Sequence, residues 1–273
     1  MNKSWFQIGA LVLSGFFTHT PTCAQAPDSL HLRQSFAMVA AFAAGDHLSN
    51  TYLLSDKNAL IKFDSTGTAV ATYTNQRLGL ATSVDAANPL KLLVWYPDFQ
   101  TVVWLDRTLS EMGRMQFSAL GRYAISTVAM SADGNIWAFD ESVSTALKLN
   151  LSGELLLESQ PLSAAIGVRF SATRIRDNGQ TIALADPQSG LCSLDQFGAL
   201  QRFDPGLKTA DFEWNGEWLT YVQDSTLYMQ QHQFMRQRQI PLPTAYKPGM
   251  KTWLGKNAVY LQAGAVLQQF DWE

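Results

Sequence analysis

Short apolar runs return about every 40 residues along this chain, and this spacing constrains the fold more than any other feature. Most runs are apolar without alternation and rich in β-branched and aromatic residues, which is typical of strands covered on both faces. The six runs lie at 51–54, 92–96, 136–139, 181–185, 218–222 and 258–261. An Asp follows five of them, at Asp56, Asp98, Asp140, Asp186 and Asp224, with gaps of 42, 42, 46 and 38 residues.

Turn signals and further strands surround each run. Asn-Pro, Asp-Gly, Asn-Gly or Gly-Lys-Asn precedes every run but the first, and Asn-Gly and Asp-Gly supply the positive φ angles of two-residue hairpins. A third strand follows each run, at 59–63, 101–105, 145–149, 190–194, 226–229 and 265–270. A four-stranded antiparallel unit repeated about every 40 residues is the signature of a propeller blade. The sequence therefore predicts an all-β protein, a six-bladed β-propeller with four antiparallel strands per blade.

The two ends of the chain predict how the ring closes. The sixth unit stops at Glu273 after its third strand, whereas residues 31–36 form a strand with no unit of its own. That strand resembles the outer strands at 113–117 and 199–203. We expect it to be the fourth strand of the last blade, because no blade edge is then left unpaired.

The first residues predict export. Lys3 precedes an apolar run at 5–17, which has the length of a signal-peptide core and is too short to span a membrane. We expect residues 1–24 to be a signal peptide, with cleavage after Ala24, or after Ala26, and residues 25–273 to be a single propeller domain. We expect no transmembrane helix and a periplasmic or secreted protein. A lipid anchor on Cys23 is the alternative.

Composition narrows the function classes. The chain is 47% hydrophobic with a net charge of −3 and no basic run, which excludes a disordered chain and a nucleic-acid binder. The architecture resembles the secreted six-bladed propellers of the TolB-like and NHL-like kind, although no family motif is present. The resemblance implies a fold that is a platform for many unrelated functions.

The Asp turns and the connections between blades predict a binding face. In this fold, the turn after the second strand of a blade opens on the same side as the connection to the next blade. The predicted face combines the turn carboxylates with one cation from each connection and with aromatic side chains, which are enriched at interfaces together with Arg. Its residues are Asp56, Arg77, Tyr96, Asp98, Phe99, Arg122, Tyr123, Asp140, Arg169, Asp186, Lys208, Asp224, Tyr246 and Lys247. The simpler explanation is that each Asp caps its own turn and each cation pairs locally.

The segment from Phe212 to Trp218 carries two Trp residues around an Asn-Gly hairpin. Packing of Trp214 against Trp218 across the strands is the expected explanation, and an aromatic platform for a sugar is the alternative. Glu213 and Glu217 resemble the paired carboxylates of a glycosidase only weakly, because no second acidic cluster supports them.

Two function classes follow. The first is a non-catalytic exported propeller that binds another envelope or secreted protein, or a cell-wall component, as a monomer with no cofactor, no bound metal and no catalytic residues. The alternative is a metal-dependent enzyme of the lactonase or lyase kind, which holds a divalent metal in the central channel. We expect inner strands at 38–43, 81–85, 124–130, 168–175, 210–214 and 250–254, and Asp85, Asp211 and Glu213 are their only acidic residues. A hard cation needs several converging oxygen ligands, so the sequence favours the first class. Cys192 is expected to be a small core residue.

Overall fold

The computed structural model describes residues 29–231, 236–247 and 249–272. Six four-stranded antiparallel sheets are arranged as a β-propeller, which confirms the predicted architecture. The predicted signal peptide lies outside the described residues. In the part of the chain that the structure describes, no helix is long and apolar enough to cross a membrane.

The strands follow the chain from the inner to the outer edge of each blade, except in the sixth. The closing strand is β1 (Leu30–Phe36). Blade 1 contains β2 (Ala40–Gly45), β3 (Thr51–Ser55), β4 (Ala59–Phe63) and β5 (Ala69–Thr74). Blade 2 contains β6 (Ser83–Asp85), β7 (Leu92–Tyr96), β8 (Thr101–Leu105) and β9 (Glu111–Gln116). Blade 3 contains β10 (Ile125–Met130), β11 (Ile136–Asp140), β12 (Thr145–Leu149) and β13 (Leu155–Glu158).

The second half of the ring repeats this order. Blade 4 contains β14 (Arg174–Asp177), β15 (Thr181–Asp186), β16 (Gly190–Asp195) and β17 (Leu200–Asp204). Blade 5 contains β18 (Phe212–Asn215), β19 (Trp218–Gln223), β20 (Thr226–Gln231) and β21 (Arg236–Pro241). Blade 6 contains β22 (Thr252–Gly255), β23 (Ala258–Ala263) and β24 (Val266–Trp272), and β1 is its outer strand.

Pairing of β1 with β24 closes the ring as predicted. The antiparallel register runs from Leu30 opposite Trp272 to Phe36 opposite Leu267. On the inner side, Gly45 and Gly255 let blades 1 and 6 approach closely, since a Cβ on Gly255 would lie 2.6 Å from the Gly45 nitrogen. Blade 6 is thus built from β1 and from the three last strands, β22 to β24.

The core lies between neighbouring blades. Every residue of the middle strands β7, β8 and β11 is buried, because each of these strands is covered on both faces by the adjacent blades. Trp95 meets Phe117 edge to face at 5.6 Å, and Phe139 meets Phe170 in the same way at 5.9 Å. Cys192 is fully buried in this core, as predicted, and burial raises the pKa of its thiol to about 12.

The six inner strands lie near their predicted positions, and the one in blade 4 differs most. The sequence places it at 168–175, whereas β14 begins only at Arg174. A short helix, α1 (Leu162–Ile166), occupies the connection and ends at Gly167 with a φ of 75°. Ser144 fixes this connection, because its carbonyl and hydroxyl accept the Leu162 and Ser163 amides. Residues 168–173 therefore lead into the strand rather than form it.

The antiparallel order gives the ring two faces. The connection face carries the turns between second and third strands (56–58, 97–100, 141–144, 187–189, 224–225 and 264–265) and the connections between blades. The hairpin face carries the turns between first and second strands (46–50, 86–91, 131–135, 178–180, 216–217 and 256–257) and those between third and fourth strands.

Side chains at turns of the connection face clamp the next blade. Asn58, in the left-handed region at φ 62°, accepts the Ala81 amide at 2.8 Å and donates to the Gly79 carbonyl at 2.9 Å. Gln100, at φ 46°, accepts the Ile125 amide at 2.7 Å and donates to its carbonyl at 3.1 Å. These bonds satisfy backbone N–H and C=O groups that have no partner in a sheet. They therefore hold the connection to the next blade against the turn that carries the side chain.

Candidate functional site

The predicted binding residues lie in turns and connections of the connection face or at the strand ends beside them, and most are exposed. Arg122 and Tyr246 are half-buried, and Tyr96, Asp140 and Asp186 are buried. The exposed residues are Asp56, Arg77, Asp98, Phe99, Tyr123, Arg169, Lys208, Asp224 and Lys247.

Tyr96 is not available to a partner. It is the last residue of β7, and only 1% of its surface is exposed. Burial, and next the neighbouring Tyr73, raises the pKa of its phenol. The sequence interpretation of Tyr96 as a contact on the face is wrong, because the middle strand is covered on both faces up to its final residue.

Asp140 and Asp186 hold their own turns. Asp140 accepts the Ser142 amide at 3.0 Å and the Arg122 guanidinium at 3.2 Å. Asp186 accepts the amides of Gln188 at 2.8 Å and Ser171 at 2.9 Å. Burial opposes ionisation of Asp186, but these hydrogen bonds outweigh it and lower the pKa. Both residues are buried and hold their own turns, as the simpler explanation from the sequence expects.

Several exposed apolar side chains lie in turns and connections of the connection face, from the entry of blade 2 to the entry of blade 4. Leu80 is 61% exposed, Phe99 is 50% exposed and Tyr123 is 73% exposed. Val143 and Val168 are exposed as well. We call these five residues the apolar patch. The sequence predicts its aromatic members, Phe99 and Tyr123, but not the aliphatic ones, which lie in loops without periodicity.

The central channel holds a buried cluster of charges. Arg176 of β14 contacts Glu213 of β18 at 2.7 Å and Asp85 of β6 at 3.3 Å. The second arginine of β14, Arg174, contacts Asp211 at 2.7 Å. Lys256 contacts Glu213 at 3.0 Å. We call these six residues the axial ion cluster, and it balances three cations against three carboxylates.

The axial ion cluster joins the inner strands of the ring. Asp85 accepts the Met130 amide of blade 3 at 2.9 Å, and Asp211 accepts the Leu254 amide of blade 6 at 2.8 Å. The Arg174 guanidinium lies 4.8 Å from the ring centroid of Phe42 in blade 1. Contacts of the cluster therefore reach all six blades.

The axial ion cluster has two halves, the Arg176–Glu213 pair and the Arg174–Asp211 pair, which differ in how well their charges and hydrogen bonds are satisfied. Burial opposes the charge of Glu213, but Arg176 and then Lys256 outweigh it and lower the pKa to about 2. For Asp211, burial prevails and raises the pKa. Burial, and next the charge of Arg176, lowers the pKa of Arg174. Among the described residues, its Nε and Nη2 have no hydrogen-bond partner of good geometry. The Arg176–Glu213 half is thus well satisfied, and the Arg174–Asp211 half is not.

The channel carboxylates do not fit a divalent cation. The three acidic residues that the sequence offers for a metal do meet in the channel, but each one is already paired with a guanidinium or an ammonium group. A hard cation needs several free oxygen ligands. Within residues 29–231, 236–247 and 249–272, no group of three or more His, Cys, Asp and Glu side chains is placed to hold a metal ion.

Two cavities of about 300 Å³ or more lie on the hairpin face, opposite to the predicted binding face. One of about 300 Å³ lies between blades 4 and 5, and Trp214, Glu217 and Gln201 are among its lining residues. A second, of about 320 Å³, lies at the axial mouth and is lined in part by His47 and Lys256. Neither cavity is predictable from the sequence, because its walls come from different blades.

The two Trp residues of the β18–β19 hairpin do not pack against each other. The register pairs Asn215 with Trp218 and Trp214 with Leu219, which places the two rings on opposite faces of the blade. Trp214 packs towards blade 4, and Trp218 packs on the cluster shared by blades 5 and 6. The expected cross-strand packing is therefore wrong, and so is a platform made of both rings.

Comparisons with solved structures agree on the fold. The chain is similar to a structure of streptogramin B lyase, with a TM-score of 0.61, 8% identity, and coverage of 90% of this chain and 98% of that one. It is similar to the β-propeller domain of Cps50 (Swd1) from Myceliophteria thermophila, with a TM-score of 0.60, 7% identity, and coverage of 89% and 99%. A catalytically inactive virginiamycin B lyase from Staphylococcus aureus, solved with quinupristin, gives 0.56 at 9% identity, with coverage of 84% and 79%. No protein-family model and no curated protein matches the chain. At these identities, the likeness shows the fold alone.

Proposed function

We propose that this chain is a non-catalytic, exported binding module whose connection face docks a partner protein. The observation that carries the proposal is the apolar patch, in which Leu80, Phe99 and Tyr123 are each at least half exposed. Large apolar side chains exposed on one face of a protein favour an interaction site there.

The surroundings of the patch support this proposal. Asn58 and Gln100 clamp the loops that carry Leu80, Phe99 and Tyr123, so docking would order few side chains and cost little conformational entropy. Exposed charges of both signs, such as Asp98 and Arg77, border the patch. We expect a partner with an apolar centre and a mixed polar rim, which is the usual anatomy of a protein interface.

A metal-dependent lactonase or lyase is the weaker alternative. The fold allows it, but the channel carboxylates already form ion pairs with Arg174, Arg176 and Lys256. We expect no turnover of lactones, glycosides or peptides. Stoichiometric Ca²⁺ or Zn²⁺ in purified protein, lost when Asp85 is replaced, would favour the enzyme instead.

Leu80 and Leu90 provide a matched test of the docking face. They are 61% and 65% exposed and flank opposite ends of the same blade, Leu80 on the connection face and Leu90 on the hairpin face. The partner is identified by in-cell crosslinking, and its dissociation constant is then measured with purified variants. Leu80→Glu and Tyr123→Glu should weaken binding at least about tenfold, the scale of an interface hot spot. Leu90→Glu should leave binding unchanged, and equal losses from both faces would contradict the proposal.

Export is tested by cell fractionation and N-terminal sequencing of the natural protein. We expect the protein in the periplasm or the medium, with Gln25 as its first residue after cleavage at Ala24, or Pro27 after cleavage at Ala26. A lipid on Cys23 would establish the anchored alternative. A cytoplasmic protein that retains Met1 would contradict export.

A further inference from the structure

The cavity between blades 4 and 5 has the lining of a binding site for an uncharged, hydroxyl-rich ligand. Its volume of about 300 Å³ lies at the lower end of the range for small-molecule sites, about 300–1,000 Å³. Blade 4 contributes hairpin and outer-strand residues, and blade 5 contributes Trp214, Glu217 and Gln231. The site is therefore built by two blades and does not belong to one loop.

Amide side chains dominate the polar lining. Asn178, Gln180, Gln201 and Gln231 all line the cavity. A primary amide offers both donors and an acceptor, and a sugar hydroxyl does the same. Among the residues that the structure describes, the side-chain amides of Gln180 and Gln201 make no hydrogen bond within the protein, so they are free to bind a ligand.

The charges at the cavity balance. Arg202 and Glu217 line it together, and the Glu217 carboxylate already accepts a hydrogen bond from Gln231. Arg202 also contacts Asp204, at 3.3 Å. Because the described lining sets one cation against one carboxylate, the cavity favours neither an anion nor a cation.

Trp214 supplies an independent indication of a ligand. It lines the cavity and is only 6% exposed, and its indole Nε1–H has no hydrogen-bond partner within the described residues. A buried donor left unsatisfied costs free energy and calls for an explanation. A ligand hydroxyl, or a water that the ligand holds in place, would satisfy it, while the ring gives the C–H face of a sugar an apolar surface.

We propose that this cavity binds a neutral saccharide. Asn178 also lines the cavity at the axial mouth, so the two depressions adjoin and leave room for more than one sugar unit. The site lies on the hairpin face. It is independent of the proposed docking of a protein on the connection face.

The test is a binding titration of the purified protein with N,N′-diacetylchitobiose, cellobiose, maltose and mannobiose, by saturation-transfer NMR and calorimetry. We expect at least one disaccharide to bind with a dissociation constant in the micromolar to low millimolar range. The double variant Gln180→Ala/Gln201→Ala should weaken it about tenfold, because each neutral hydrogen bond accounts for a factor of several in affinity. Trp214→Phe keeps an aromatic ring, removes the unsatisfied donor and should also weaken binding.

Gln188→Ala is the matched control, since Gln188 is an exposed glutamine on the connection face of blade 4. It should bind the disaccharide within about twofold of the parent chain. No binding of any of the four sugars, or equal loss in Gln188→Ala and the double variant, would overturn the proposal. Leu80→Glu should leave sugar binding intact, so failure of the protein-docking proposal and failure of this one are distinguishable.

Discussion

The same residue types, Asp, Glu and Arg, lie in two contrasting settings in this ring. In the axial ion cluster, Arg176 and Glu213 are 3% and 5% exposed and lie 2.7 Å apart. On the connection face, Arg169 is 87% exposed and meets Glu141 at 3.2 Å. Water screens the second pair and not the first. We therefore expect only the loss of the axial pair to change the free energy of unfolding substantially.

The largest expected loss of stability comes from opening the ring. Without a closed ring, the axial ion cluster would no longer be buried and would not differ from the exposed pairs. A chain that starts at Met38 lacks β1 and leaves β24 as an unpaired edge. We expect aggregation, or a melting temperature far below that of a chain that starts at Gln25, because unpaired edges template association. The measurement is thermal unfolding combined with light scattering. If the shortened chain melts like the full one, the ring does not depend on β1.

The second largest loss of stability is expected from breaking the Arg176–Glu213 half of the axial ion cluster. Arg176→Met leaves Asp85 and Glu213 without their guanidinium, and a buried charge that loses its partner costs about 3–5 kcal/mol. Arg174→Met should cost less, about 1–3 kcal/mol, because Asp211 keeps the amides of Phe212 and Leu254 and its pKa is already raised. Denaturant unfolding measures both variants. Equal losses would show that the two halves do not differ.

How far the sequence predicts these regions depends on the distance over which their residues interact. The second and third strands were predicted almost to the residue, as at 92–96 and 101–105, because strand period and turn chemistry are local. The inner strand of blade 4 was misplaced, because the hydrogen bonds that Ser144 accepts from Leu162 and Ser163 decide where that connection runs. Those bonds join a turn of blade 3 to residues well beyond it in the chain, so they leave no local pattern.

The axial ion cluster was predicted only in part. The sequence reasoning named Asp85, Asp211 and Glu213 but left out the arginines that neutralise them. A usable signal was present: Arg174-Ile175-Arg176 and Asp211-Phe212-Glu213 place matching charges at alternate positions of neighbouring inner strands, and alternate residues share one face of a strand. On the connection face, the sequence predicts the same role for Tyr96 and Tyr123. Only the packing around β7 shows that Tyr96 is buried, whereas Tyr123 is exposed.

A third prediction concerns acid. Glu213 has a pKa of about 2 in the folded protein against an ordinary value of 4.5, so the folded state binds this proton more weakly than the unfolded state does. Its contribution to stability is fully present above about pH 5 and is lost as the pH falls towards 2. The raised pKa of Asp211 acts in the opposite direction in part of this range. The destabilisation caused by Glu213→Gln should therefore be largest near pH 6 and should shrink towards pH 2. Urea titrations across this range test it, and a difference that does not change with pH would contradict the role of Glu213.

The smallest expected effect belongs to the exposed pair. Arg169→Met removes a guanidinium that is 87% exposed, and surface ion pairs of this kind contribute about 0–1 kcal/mol because water and salt screen them. We expect the free energy of unfolding to change by less than about 0.5 kcal/mol. The measurement is the same denaturant titration as for Arg176→Met, which matches it in chemistry and differs in burial. A loss from Arg169→Met as large as that from Arg176→Met would show that the connection face is part of the folding core, and its charges would then be poor candidates for binding a partner.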